Sequence, residues 1–328
     1  MTTTEPQIEI EVHLAADAAA TMAREVRAGL RSDPKELAPK YFYDERGSRL
    51  FEEITALPEY YPTRAERSIL AARSTEILAT AGEPTTLVEL GSGSAAKTRH
   101  LLEAMRDAGC LATYAPVDIS EEITHRTAEC LVEEFPGLAI RGLVCDFEQD
   151  LERIPDGDGG RVIAFLGGTI GNLYPGPRHE FLSRIAALLA PEDRLLLGTD
   201  LVKDTVRLEA AYDDSRGVTA AFNKNVLAVL NRELAADFDL DAFEHVARYD
   251  AGEARMDIRL RSLGDQTIRV EGLDLEVEFG AGEEMRTEIS SKFTRERLEA
   301  IYAGAGLELS GWFTDRDGDY GLSLAQAA

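Results

Sequence analysis

Gly91-Ser92-Gly93-Ser94-Ala95-Ala96 follows the short apolar run Leu87-Val88-Glu89-Leu90 and precedes a helical pattern, so Gly91 and Gly93 stand where a strand turns into a helix. Glycines let a backbone approach a ligand closely, and a helix N-terminus favours a negatively charged group. The loop therefore suits a nucleotide-type cofactor. A strand-to-helix turn without a ligand uses the same glycines, and two acids sharpen the choice. Asp118 ends the next strand and can accept hydrogen bonds from both hydroxyls of a ribose. Asp146 ends the strand after that and can accept from an adenine amino group, with Phe147 stacking beside the ring. Each acid alone could equally cap the helix that follows it. In register at successive strand ends, the three features point to adenosine.

NAD and S-adenosylmethionine both present adenosine. The dinucleotide needs room for a pyrophosphate at the helix N-terminus and an acid about 20 residues past the first glycines. Asp118 lies further along than that, and the acidic Glu89 precedes the loop, where a carboxylate suits the ammonium of a methionine moiety and does not favour a pyrophosphate. An NAD-dependent oxidoreductase also needs a polarising His or Lys, and none of the five histidines stands at a strand end. The expected cofactor is S-adenosyl-L-methionine, leaving as S-adenosyl-L-homocysteine.

The elements that position these residues follow from periodicity. Thr63 and Glu66 read as a capping box opening a helix that runs to about Gly82. A second helix carries Leu101, Leu102, Met105 and Ala108 on one face and stops at Gly109, and a third runs from Glu121 to Glu134. Strands are expected over Tyr114–Val117, Ala139–Cys145, Val162–Leu166 and Leu195–Gly198, with a helix around Arg178–Leu189. Strands alternating with helices imply an α/β parallel sheet with helices on both faces, whose ligands sit beyond the carboxyl ends of the strands. After Asp200 the rhythm changes. Lys203 to Ala247 reads mostly helical, and 255–263 and 267–279 alternate like antiparallel strands around Leu263-Gly264-Asp265-Gln266. This segment reads as an inserted, mixed α+β second lobe, with a cleft between the lobes. A last helix from Thr294 and strands over Leu307–Phe313 and Tyr320–Leu324 close the chain, as in methyltransferase sheets. Alanine-rich stretches such as Ala15–Ala20 read as helical.

Composition excludes several classes. The 328 residues carry 60 acidic against 35 basic side chains, a formal charge of -25. Such a field repels phosphate backbones and anionic headgroups, so neither nucleic acid nor membrane is an expected partner. The uncharged run Val162–Pro177 is broken by Gly and Pro and falls short of the roughly 20 residues a spanning helix needs. Met1–Glu11 is polar and acidic, unlike a signal peptide. The three cysteines, Cys110, Cys130 and Cys145, form no CxxC and read as reduced thiols of a cytoplasmic protein. No HExxH pairs the histidines, so no metal is expected, and no heptad stretch argues against a monomer.

Four further strings make a specific resemblance. They are Lys40-Tyr41-Phe42-Tyr43-Asp44, Leu57-Pro58-Glu59-Tyr60-Tyr61-Pro62-Thr63-Arg64, the run Phe165-Leu166-Gly167-Gly168-Thr169-Ile170-Gly171-Asn172, and the run from Gly282 to Phe293. In order and spacing the chain after about residue 12 resembles the L-histidine Nα-methyltransferases of the ergothioneine pathway, actinobacterial type. The resemblance implies a class I methyltransferase, Rossmann-like domain over 64–200 and 292–328, and a substrate-binding domain over 12–63 and 201–291. It implies cofactor contacts at Gly91, Lys97, Asp118, Asp146 and Phe147, with Phe51 as an aromatic beside the cofactor. Histidine contacts fall on Tyr60, Asn172, Tyr212, Glu288 and Ser290, Tyr43 lies near the substrate amine, and Ile258 borders the substrate ring.

The chemistry of those residues agrees. Glu288 and Ser290, two apart on a strand, point to one face. A neutral imidazole offers one N–H and one acceptor nitrogen, which a carboxylate and a hydroxyl can serve. The phenols of Tyr60 and Tyr212 and the Asn172 amide can donate to a substrate carboxylate, and Lys97 can meet the cofactor's carboxylate. Methyl transfer asks for a neutral amine in line with the methyl and sulfur, and Tyr43 can orient that amine or relay its proton through water. The implied reaction is trimethylation of L-histidine to hercynine. Methylation of another small amine, and a cofactor-binding sensor without chemistry, remain as alternatives at this point.

Overall fold

The computed structural model describes residues 8–13, 18–157 and 159–328. In chain order its elements begin with β1 (Ile8–Val12), α1 (Ala18–Arg31), α2 (Glu45–Thr55), α3 (Pro62–Ala81), β2 (Thr86–Leu90), α4 (Arg99–Ala108), β3 (Thr113–Asp118) and α5 (Glu121–Glu134). They continue with β4 (Ala139–Val144), α6 (Phe147–Asp150), β5 (Arg161–Phe165), α7 (Pro175–Leu188), β6 (Arg194–Asp200), α8 (Thr205–Tyr212), α9 (Val218–Leu234), β7 (Phe243–Asp250) and β8 (Arg255–Ser262). The last are β9 (Gln266–Val270), β10 (Leu275–Phe279), β11 (Glu284–Ser291), α10 (Arg295–Gly304), β12 (Leu307–Thr314) and β13 (Tyr320–Ala327).

The chain divides into two compact units. The first takes the described residues up to 13, Ala65–Leu201 and Phe293–Ala328; the second takes the described residues from 18 to Arg64 and Val202–Lys292. The first holds an eight-stranded sheet in the order β1-β4-β3-β2-β5-β6-β13-β12. The strands from β1 to β6 are parallel, and β13 and β12 close the edge antiparallel. This is the class I methyltransferase, Rossmann-like arrangement expected from the sequence. Both faces are covered, so β2 is buried throughout. Leu87 joins the cluster of Ile69, Leu101 and Met105 on one face, and Val88 and Leu90 join that of Phe165, Phe181 and Leu182 on the other.

The second unit has its own core, in which Phe222, Val226 and Leu230 of α9 pack with Met256, Ile258 and Leu260 of β8. Its strands form a three-stranded antiparallel sheet, β11-β8-β7, and a two-stranded one, β10-β9.

Several sequence expectations need correction. Phe243–Ala247 is strand, not helix: Phe243 opens β7, which pairs antiparallel with β8 across Phe243↔Ser262. The turn at Leu263–Gln266 does not join paired strands. β8 lies between β7 and β11, while β9 pairs with β10 through a break at Asp274, whose backbone is left-handed. Alternation fixes which face a strand buries but not its partner. Ala108 is exposed, and Ala104, one turn earlier, packs on the core instead. The polar, acidic N-terminal segment also holds an edge strand, β1, in which Ile8-Glu9-Ile10-Glu11-Val12 alternates and Ile10 packs on the core. Of the N-terminal segment and the alanine-rich stretch, Met1–Gln7 and Ala15–Asp17 lie outside the described residues. Among the described residues no helix is long and apolar enough to cross a membrane.

Candidate functional site

In the first unit, β2, β3, β4 and β5 run parallel, so the Gly91 loop, Asp118, Asp146 and the Gly167-Gly168 turn all follow carboxyl ends of neighbouring strands. Gly91 and Gly93 take positive φ, 70° and 50°, and a Cβ at either would meet nothing within 4 Å. The requirement there is conformational, and it leaves open space over the loop. Ala95 also takes φ 51°, a conformation that costs a non-glycine residue of order 1 kcal/mol or more and that clusters where backbone is held for binding.

Asp118 fastens this loop. Its Oδ2 accepts from the Gly93 N–H at 2.8 Å and its Oδ1 from the Ser120 N–H at 2.9 Å. A carboxylate oxygen has a second lone pair, so the acid that shapes the loop retains acceptor capacity for a ribose. Asp146 caps α6 through the Glu148 N–H at 3.1 Å and also accepts from the Gln149 amide at 2.9 Å. Phe147 is half-buried, its ring edge-on to Phe165 at 5.5 Å and to Phe181 at 6.2 Å.

Glu89 departs from expectation. It is buried in β2, and its two carboxylate oxygens accept from the hydroxyls of Thr98 and Tyr114 rather than standing ready for an ammonium. Burial lifts its carboxyl to about 7, against the lowering pull of those two hydroxyls and of Lys97. Glu66 departs too. Helix α3 opens at Pro62, and the buried Glu66 carboxylate accepts from Lys97 Nζ, from the Gly167 N–H at 2.8 Å and from the Tyr320 hydroxyl at 3.0 Å. Gly198 makes room for it, since a Cβ there would lie 2.4 Å from Glu66 Oε1. Lys97 is thus held by a buried acid just before α4, its Nζ facing the Gly167 turn. Asn172 is half-buried at the end of the 3-10 turn Thr169–Asn172 in this same unit.

The second unit brings the remaining candidates together. Glu288 and Ser290 lie on β11, opposite Ile258 and Met256 of β8. Tyr212 ends α8 and its hydroxyl lies 2.8 Å from Ser290 Oγ. The ring of Tyr60 meets that of Tyr212 edge-on at 6.4 Å, Phe51 meets Tyr60 at 6.2 Å, and Tyr43 meets Phe51 at 5.6 Å. Phe222 of α9 backs this row, 5.5 Å from Tyr43 and 5.9 Å from Phe51. The Tyr43 phenol is held above its ordinary value, first by desolvation and then by the negative charge of Glu288. It is a neutral phenol at physiological pH, able to donate and accept but not an anionic base.

Two residues outside the sequence-derived set complete the cluster. Lys292 is fully buried, and its Nζ donates to the Tyr212 hydroxyl and to Ser290 Oγ, each at 2.8 Å. Its i+2 spacing from Ser290 on an extended run was the available signal. His245 of β7 sits behind Tyr212: its Nε2 lies 2.8 Å from the Tyr212 carbonyl, so that nitrogen carries the proton, and Nδ1 accepts from Asn223. Burial keeps this imidazole below its ordinary value and neutral. It lies on β7, in a segment whose sequence pattern reads as helical, so the sequence does not mark it.

The chain is similar in sequence to known proteins. A family model described as histidine-specific, SAM-dependent methyltransferase matches residues 22–327. The chain is 57% identical to the histidine N-alpha-methyltransferase of Mycolicibacterium smegmatis, over 95% of this chain and 97% of that one. It is 53% identical to the protein of the same name from Mycobacterium tuberculosis, over 97% and 99%. It is also 30% identical to ergothioneine biosynthesis protein 1 of Neurospora crassa over 90% of its own length, spanning 33% of that longer chain. The chain belongs to the histidine-specific, S-adenosylmethionine-dependent methyltransferase family.

Proposed function

We propose that this protein transfers three methyl groups in succession from S-adenosylmethionine to the α-amino nitrogen of L-histidine, giving hercynine, the first step of ergothioneine biosynthesis. The observation that carries this reading is identity above one half, over nearly the whole chain, to two proteins named histidine N-alpha-methyltransferase. The cofactor supplies a methyl on a sulfonium, and as nitrogen attacks in line, positive charge passes from sulfur to nitrogen. The protein's task is then to hold a neutral amine in position and to tolerate the ammonium that forms.

In this reading Gly91, Lys97, Asp118, Asp146 and Phe147 serve the cofactor. Asp118 takes the ribose hydroxyls on its remaining lone pairs, Asp146 and Phe147 take the adenine, and Lys97 takes the carboxylate. Glu288 and Ser290 receive the imidazole, and Tyr60, Asn172 and Tyr212 donate to the histidine carboxylate. Tyr43, a neutral phenol that feels the Glu288 charge, orients the amine and passes its proton to water before each transfer. The acidic charge and the cysteine usage support a cytoplasmic protein that binds neither nucleic acid nor membrane, and we take it as a metal-free monomer.

Calorimetric titration of L-histidine into the protein with S-adenosylhomocysteine present tests this. Saturable binding, lost in Glu288→Ala, supports it. Cofactor binding without histidine binding, or Glu288→Ala binding as wild type does, contradicts it and favours another amine.

A further inference from the structure

Glu66 has no part in the reaction as described, yet it is a buried carboxylate beside the turn that follows β5. Burying a carboxylate is costly unless charge and hydrogen bonds compensate it. The first unit supplies that compensation from three places: the end of the glycine loop through Lys97, the turn after β5 through Gly167, and β13 through Tyr320. It also gives up volume for the group. A Cβ at Gly198 would lie 2.4 Å from Glu66 Oε1 and 2.7 Å from the Tyr320 hydroxyl oxygen, so β6 carries a glycine there.

The two carboxylate oxygens have different partners. Oε1 accepts from both the Gly167 N–H and the Tyr320 hydroxyl, which fixes how the group is turned. Oε2 then faces Lys97 Nζ. The Lys97 side chain is 23% exposed, so it is anchored on one side and open on the other. An ammonium has three hydrogens, and among the described residues Glu66 is the acceptor bonded to this one, which leaves donors for a ligand. A lysine stem held in place before a ligand arrives does not lose its freedom on binding. The next residue is pinned in the same manner, since the Thr98 hydroxyl donates to the buried Glu89. Two buried acids thus hold consecutive residues where the glycine loop enters α4.

We propose that Glu66 is a positioning residue for the cofactor: turned by Gly167 and Tyr320, it holds the Lys97 ammonium where that group meets the carboxylate of the methionine moiety. The inference rests on the function proposed above and deepens it.

Glu66→Gln isolates this role. The glutamine oxygen can take the place of Oε1 and keep the Gly167 and Tyr320 contacts, while its NH2 replaces Oε2 and presents a donor to a donor. Lys97 loses its anchor and the rest of the tie stays. The experiment is calorimetric titration of S-adenosylhomocysteine, and of methylthioadenosine, which lacks the carboxylate, into wild type, Glu66→Gln, Lys97→Met and the double variant. Glu66→Gln should weaken S-adenosylhomocysteine about tenfold and leave methylthioadenosine unchanged. The double variant should lose no more than Lys97→Met alone, because Glu66 acts through Lys97. Wild-type affinity in Glu66→Gln, equal losses for the two ligands, or losses that multiply to about 100-fold in the double variant overturn the inference. Lys97→Met binding S-adenosylhomocysteine as wild type does overturns the assignment of Lys97 to the carboxylate, and the inference with it. Wild type that does not bind S-adenosylhomocysteine overturns the functional reading itself. If circular dichroism shows Glu66→Gln unfolded, Tyr320→Phe makes the test by removing one of the two donors that turn the carboxylate. It should weaken S-adenosylhomocysteine about threefold and spare methylthioadenosine, and no loss, or equal losses, overturns the inference.

Discussion

Replacing Glu89 with glutamine should flatten the pH dependence of the first unit's stability. Glu89 is 3% exposed, and burial raises its carboxyl from 4.5 to about 7. Below pH 4.5 the side chain is protonated in both folded and unfolded chains and the raised value costs nothing. As pH climbs, the unfolded chain releases the proton first while the folded one holds it. Stability therefore falls between pH 4.5 and about 7 and levels off above. At roughly 1.4 kcal/mol per pH unit, that interval amounts to about 3 kcal/mol. Glutamine has the same shape and nothing to titrate, and the Thr98 and Tyr114 hydroxyls can rotate to pair with its amide. The single tryptophan, Trp312, lies on β12, so its fluorescence reports this unit directly. Urea unfolding at pH 4, 5, 6, 7 and 8, followed by that signal, should show the wild-type curve dropping relative to the variant by about 3 kcal/mol across the series. Parallel curves for the two proteins would refute the placement of this charge.

Three other perturbations probe different parts of the account. Lys97→Met should weaken S-adenosylhomocysteine about tenfold in calorimetry, worth about 1.4 kcal/mol, and leave methylthioadenosine, which lacks the carboxylate, unaffected; equal losses for both ligands would place Lys97 away from the carboxylate. Tyr43→Phe should lower kcat about 100-fold with little change in KM for histidine, since the hydroxyl acts on the proton and not on the affinity; an unchanged kcat would sink its role. Burial would raise the Asp257 carboxyl, but hydrogen bonds from Arg259 and Arg286 hold it far below its ordinary value. Asp257→Asn should therefore cost about 2 kcal/mol at pH 7 by calorimetric melting, the order of a hydrogen bond between charged groups. That difference should shrink in acid, as falling pH protonates the wild-type carboxylate; a cost that does not shrink would refute the pairing.

The first unit was largely legible because a parallel sheet leaves a strong trace. Its strands are short apolar runs, and its helices stop at marked points such as Gly109 and Pro136. The residues beyond the strand ends then lie together by topology alone. What failed there were polar residues with two plausible employments. Glu66 stood where a capping box puts a glutamate, yet it lies buried under Lys97, and Glu89 turned toward hydroxyls contributed by α4's approach and β3. Spacing records that an acid is present but not which donor reaches it. The second unit was harder. Its strand partners are set by long connections, so β8 could be recognised as a strand but not assigned to β7 and β11. Glu288 and Ser290 were reached through resemblance and their shared strand face, and Lys292 escaped because a lysine in a polar string reads as solvated until its burial is seen.

The central claim is tested most directly by incubating the protein with S-adenosylmethionine and L-histidine and following the product by mass spectrometry. The account predicts histidine carrying three added methyl groups on its α-nitrogen, with S-adenosylhomocysteine accumulating at three equivalents per product. Unmodified histidine, or methylation on the imidazole ring, would contradict it.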